Sequence, residues 1–141
     1  LVLTAEHKEK INYLSQYKYL NKEIDRKIQS LEGWKDKILN VTGTLSDMPR
    51  GGGKRSDTIA DGIAMINDIE ATINKEIDDL VELKAEIESK INSVENLKLR
   101  ELLKCRYLDL KSWEEIAYLN GYSWRWVYTL HEKALDEINL D

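Results

Sequence analysis

Phenylalanine is absent from this chain of 141 residues, proline and cysteine each occur once, and glycine occurs seven times. So few helix breakers, with a third of the residues charged, favour long solvated helices over strands. The lone cysteine, Cys105, excludes an intramolecular disulfide and fits a reducing cytoplasm. No apolar run approaches the roughly 18 residues that a membrane-crossing helix needs, so no membrane partner is expected. The opening L-V-L-T is too short for a signal peptide. His7 and His131 stand apart from any Cys, His or carboxylate set at ligand spacing, so neither a metal nor a cofactor is expected. Cys105 lacks a His or Asp partner for nucleophilic work, and an enzyme is not expected.

Net charge is small in total and uneven in placement. Of the net −5, residues 57–94 hold 10 acidic and 3 basic side chains, whereas residues 1–39 hold 6 and 8. These segments suit mutual pairing, and the acidic side chains of 57–94 form the wet side of a helix. Bulk charge does not provide a grip on nucleic acid.

From Thr4 to about Leu39, apolar residues recur at steps of three and four: Leu14, Tyr17, Leu20, Ile24, Ile28, Leu31, Trp34 and Ile38. This is the stripe of an amphipathic helix, with Thr4 as its cap. Residues 40–56 hold Pro49 and three consecutive glycines and read as a loop, after which Ser56 or Asp57 caps a second helix. The stretch R-G-G-G-K-R-S lacks the spacing of a phosphate-binding loop, since Arg55 stands where Ser or Thr is needed. In the second helix Ile59, Ile66, Ile73, Leu80, Ile87 and Val94 fall seven apart, interleaved with Ile63, Ile69, Ile77, Leu83, Ile91 and Leu97. Such heptads keep one seam toward a partner helix. The seam serves an intramolecular hairpin, another chain in a homo-oligomer, or both. After Val94 the spacing lapses, and 97–110 either continues as helix or starts a separate small bundle.

The segment 112–135 carries the most information. Ser112 with Glu115 makes a capping box, and Ile116, Ala117 and Leu119 point inward from a short helix. Gly121 ends that helix in a left-handed conformation, and Ser123 caps the next one. Two short helices about a glycine turn, with small Ala117 where they cross, describe a helix-turn-helix. The expected fold is therefore all-α: a long antiparallel helical hairpin or coiled coil over 1–94, with its Gly-rich loop at 40–56, then a helix-turn-helix unit over 95–141. Taking about 100° per residue, Val127, His131, Ala134 and Ile138 share the buried line of the last helix, flanked by Leu130, Leu135 and a core-covering Trp124. Arg125, Thr129, Glu132 and Asp136 lie opposite, with Trp126 and Lys133 on one shoulder and Tyr128 on the other. His131 is expected to pack against Ala117 or Tyr122.

Through Tyr107, Trp113, Ile116, Ala117, Gly121, Tyr122, Ser123, Val127, Ala134, Leu135 and Ile138, about 45 residues resemble region 4 of bacterial sigma factors. They also resemble the phage transcriptional regulators built on that module, such as the ArpU and RinA late-gene activators. The resemblance implies a regulator, in the cytoplasm of a bacterial host, that binds double-stranded DNA at a promoter or works with RNA polymerase. Trp124, Arg125, Trp126, Tyr128 and Thr129 would then face base edges, with Arg125 suited to guanine. Lys133, Lys111 and Arg106, together with Arg100 or Lys104, would meet phosphates, as would Arg50, Lys54 and Arg55 in the loop. Because residues 95–141 carry 9 acidic and 7 basic side chains, one copy would bind weakly, and dimerisation or docking on polymerase would raise the affinity. The rival function is a protein adaptor that uses Arg125, Trp126 and Tyr128 as a contact patch, without DNA.

Overall fold

A computed structural model describes residues 3–46 and 54–141, and at 41–46 and 54–56 the backbone alone. All regular elements among the described residues are helical. The long helices α1 (Ala5–Ser46) and α2 (Lys54–Asn92) precede three short ones, α3 (Leu97–Leu103), α4 (Trp113–Asn120) and α5 (Trp124–Glu137). A π-helical turn, Lys104–Leu108, follows α3. This is the all-α hairpin followed by short helices that the periodicities require.

Helix α1 runs seven residues beyond Leu39, and α2 starts before Ser56. Residues 40–46 and 54–56 are thus helical, not loop. The propensity losses of Val41, Thr42, Gly43 and Thr44 are fractions of a kcal/mol to about 1 each, too little to stop a helix already propagating. Ser56 and Asp57 lie inside the first turn of α2 instead of capping it, and the macrodipole favours Asp57 there. Pro49, Arg50 and Gly51–Gly53 lie outside the described residues.

The chain divides into two compact units, one of residues 21–79 and the other of residues 1–20 with 80–141. In the first, Lys27 pairs with Glu76, and Lys35 pairs with Glu70 at 3.5 Å, so the two helices run antiparallel. Ile24 and Ile73 are buried between them. At Gly62 an added Cβ would collide with the Ile38 side chain; glycine lets that side chain lie against the α2 backbone. Ile28, Ile63 and Ile77 stay exposed, because two helices cannot cover every position of their seams.

The other unit holds a continuous core that runs from Leu14, Ile87 and Ile91 through Leu99, Leu102, Leu103 and Tyr107 to Ile116, Val127, Leu130, Ala134 and Leu135. Segment 97–110 is not a continuation of α2. That helix stops at Asn92, and Asn96 caps α3 by accepting from the N–H groups of Lys98 (3.0 Å) and Leu99 (3.3 Å). Past the π turn, Leu110 takes φ +58°, a left-handed conformation that costs a branched side chain about 1–2 kcal/mol. It lets the Lys111 N–H donate to the Cys105 carbonyl at 3.0 Å and turns the chain toward α4.

Polar groups join the start of α1 to the end of α5. Thr4 Oγ1 accepts from the His7 N–H (3.1 Å) while the Thr4 N–H donates to His7 Nδ1 (3.4 Å), a capping box closed by histidine. The far ring nitrogen, Nε2, lies 2.5 Å from Asp136 Oδ1. The buried ammonium of Lys10 donates to the Leu135 carbonyl at 2.8 Å, satisfying a C-terminal carbonyl of α5 with a charge of favourable sign. Lys90 donates to the Leu140 carbonyl, in the segment past α5, at 3.1 Å.

Candidate functional site

Every piece of the α4–turn–α5 construction follows from a named side chain. Ser112 Oγ accepts the Glu115 N–H at 3.1 Å and starts α4. Gly121, at φ +63°, closes it: the N–H of Gly121 donates to the Tyr118 carbonyl (3.3 Å) and that of Tyr122 to the Ala117 carbonyl (2.9 Å). One residue later Ser123 Oγ accepts the Trp126 N–H at 3.1 Å, and α5 begins. Ile116 and Ala117 of α4 are buried, as are Val127, Leu130, His131, Ala134 and Leu135 of α5. Leu119 departs from expectation, with 61% of its surface open. The left-handed Gly121 follows two residues after it, so α5 comes back over the Ile116–Ala117 side and leaves Leu119 uncovered.

The outer face of α5 is aromatic and cationic near its start. Trp124, Trp126 and Tyr128 are 49%, 44% and 40% exposed. Trp124 does not cover the core as the helical wheel suggests. As the first residue of α5 its ring rests on Tyr128, with centroids 6.0 Å apart. Arg125 is exposed, and its guanidinium has no hydrogen bond or ion pair among the described residues. Lys133 lies 5.5 Å above the Trp126 ring. Thr129 is half-buried and donates its hydroxyl to the Arg125 carbonyl at 2.9 Å.

The remaining sequence candidates sit elsewhere. Arg106 is half-buried, stacked 4.6 Å from the Trp113 ring centroid, and donates to the Lys111 carbonyl at 3.1 Å. Arg100 donates through Nε to the Val94 carbonyl at 2.9 Å. These two guanidiniums hold the fold together. Lys111 and Lys104 are half-buried. Arg50 lies outside the described residues, as do the side chains of Lys54 and Arg55, whose backbones open α2.

His131 sits in an aromatic cluster. Its Nε2 lies 2.6 Å from the Tyr107 hydroxyl, and its ring meets Trp113 edge-on at 4.5 Å. Trp113 also faces Tyr128 at 6.1 Å. Burial, reinforced by the charges of Arg106 and His7, pulls the His131 pKa down to about 4, so the ring is neutral at pH 7. Burial pushes the Tyr107 phenol up, and it keeps its proton. Sequence reasoning missed Trp113 as the hub of this cluster. Spacing could not show it, because Arg106 lies in the π turn, Trp113 opens α4, and Tyr128 and His131 lie on α5, so their meeting depends on how separate elements pack.

Cys105 donates to Glu101 Oε1 at 3.6 Å, and burial with that carboxylate raises its thiol pKa, which disfavours a reactive thiolate. Among the described residues no group of three or more His, Cys, Asp and Glu could hold a metal ion. No helix among them is long and apolar enough to cross a membrane.

No curated protein and no solved structure matches the chain. The profile of the family described as "Protein of unknown function (DUF1492)" matches residues 38–139, a span that contains all of α2 through α5, and the protein belongs to that family.

Proposed function

We propose that the protein is a transcriptional regulator that binds double-stranded DNA, with α5 entering the major groove, and that it is of the sigma region-4-like kind found in phage late-gene activators. The observation that carries this is Arg125: a guanidinium without an internal partner, in the first turn of a helix whose start is fixed by Gly121 and Ser123. A helix-turn-helix offers base edges the N-terminal residues of its second helix, and an arginine there forms a bidentate pair with guanine. Lys133 supplies one phosphate contact on the same outer face, whereas Glu132, Asp136 and Glu137 oppose the backbone. One copy therefore binds weakly. The exposed seam positions Ile63 and Ile77 give a second copy something to cover, and a homodimer raises the effective concentration of the second helix. RNA polymerase is the alternative source of that gain.

A second reading has its own observation. Trp124, Trp126 and Tyr128, all substantially exposed beside an arginine, are the residue types that dominate protein-binding hot spots. In that case α5 meets a protein and no DNA.

Fluorescence polarisation with late-promoter DNA at two salt concentrations separates the two. The DNA reading requires binding that weakens steeply with salt and is lost in Arg125→Ala while circular dichroism is unchanged. Absence of binding, both alone and with polymerase, leaves the adaptor.

A further inference from the structure

Beneath Tyr128, inside the compact unit of residues 1–20 and 80–141, lies a cavity of about 380 Å³. That is within the size range of small-molecule sites. Leu3 and Ile11 line it with aliphatic surface, and Trp113 and Tyr128 line it with tilted rings. Such a slot suits a flat apolar body.

Its polar groups select the other end of the ligand. Arg106 spends one N–H on the Lys111 carbonyl, and its remaining donors have no acceptor among the described residues. His131 is 5% exposed, lines the cavity, and has no hydrogen-bond partner for Nδ1 among those residues. A phenol is the better donor in the Tyr107–His131 pair, so Tyr107 gives its proton to Nε2 and the imidazole N–H is on Nδ1. The Ser15 hydroxyl, also lining the cavity, has no partner among the described residues. Three donors without acceptors call for an acceptor-rich group, and the fixed charge of Arg106 makes a carboxylate the best match. Glu132 on the same lining repels a second anionic group and accepts from a ring amino or hydroxyl group.

We propose that this cavity binds a small planar aromatic carboxylic acid carrying one ring donor, with its ring against Trp113 and Tyr128, its carboxylate on Arg106 and His131, and its donor toward Glu132. The site shares Tyr128 with the outer face of α5, but its test needs no DNA.

The test is a titration of the 141-residue chain with 2-aminobenzoate, benzoate and benzyl alcohol, followed by the tryptophan indole N–H resonances. Trp113 should shift saturably with 2-aminobenzoate at a Kd on the order of 0.1–1 mM, as ligand efficiency allows for about ten heavy atoms. Trp34, in the other compact unit, should not move. Benzoate should bind several-fold more weakly, and benzyl alcohol should not saturate. Ser15→Phe fills the cavity and should abolish the shift. Arg106→Gln retains a donor for the Lys111 carbonyl and should weaken the acids about tenfold or more. If Ser15→Phe fails to fold, Arg106→Gln decides. Absence of any saturable Trp113 shift up to about 10 mM overturns the proposal. So does equal binding of benzoate and benzyl alcohol, or undiminished binding to Arg106→Gln.

Discussion

Residues 21–79 and the remainder of the chain draw on the same isoleucines, leucines and charged residues, yet use them differently. Among the described residues of 21–79, the buried hydrophobics are Ile24 and Ile73, beside a run of seam positions left open. The other unit buries fifteen hydrophobic residues in one cluster, with every short helix capped by a named side chain. A two-helix pairing gives each side chain one neighbour helix, whereas a small bundle surrounds it. The difference teaches where folding free energy is concentrated and where surface remains for partners.

Substitution in each unit tests that contrast most strongly. Leu103, fully buried where α3 meets the π turn, should cost about 3–5 kcal/mol as Leu103→Ala, read by urea denaturation. Ile63→Ala on the open seam should cost less than about 1 kcal/mol at low protein concentration. If the seam pairs two chains, the Ile63→Ala penalty grows with concentration, and light scattering should show a weaker dimer. Equal penalties for the two substitutions would remove the distinction between the units.

Acid should act through one residue of the bundle. The His131 pKa is lowered on folding from about 6.5 to about 4, so the folded state resists protonation while the unfolded chain accepts it. The stabilisation is complete above about pH 6.5 and is lost as pH falls through the window down to about 4. By linkage the loss is at most about 3 kcal/mol. His131→Phe should flatten this part of the stability curve relative to the parent. An unchanged slope would mean that the ring does not stay neutral inside the aromatic cluster.

A smaller effect belongs to the turn. Gly121→Ala places a side chain at φ +63° with open space around it, so steric contact plays no part and the conformation alone costs about 1 kcal/mol. Thermal unfolding would read this as a lowering of Tm by several degrees.

Local rules made much of the bundle legible in advance. Ser112, Gly121 and Ser123 act as their residue types require, and the periodicity at Val127, His131 and Ala134 marks the buried face. Local rules failed where position along a helix mattered more than direction around it. Leu119 and Trp124 point along favourable azimuths but sit at helix ends, where no element covers them. Sequence also could not show the cluster around Trp113, because a π turn and a left-handed Leu110 are irregularities that no periodic pattern encodes. The contacts of His7 with Asp136 and Lys10 with the Leu135 carbonyl join residues 125 or more apart, beyond the reach of any spacing argument.

The smallest expected effect on folding belongs to Arg125. Its side chain is exposed and has no partner among the described residues, so Arg125→Ala should change stability by no more than about 0.5 kcal/mol. The same substitution should abolish specific DNA binding if the proposed function holds, since one bidentate arginine–guanine pair contributes about 1–3 kcal/mol of discrimination. Arg125→Lys sharpens the test: it keeps the charge but loses the planar fork, so the salt dependence should persist while preference for the operator falls. Should Arg125→Lys retain full specificity, the guanidinium acts as a point charge and base reading lies elsewhere on α5. Should Arg125→Ala instead unfold the protein, the side chain serves the fold, and its exposed, unpaired position is no evidence for a ligand.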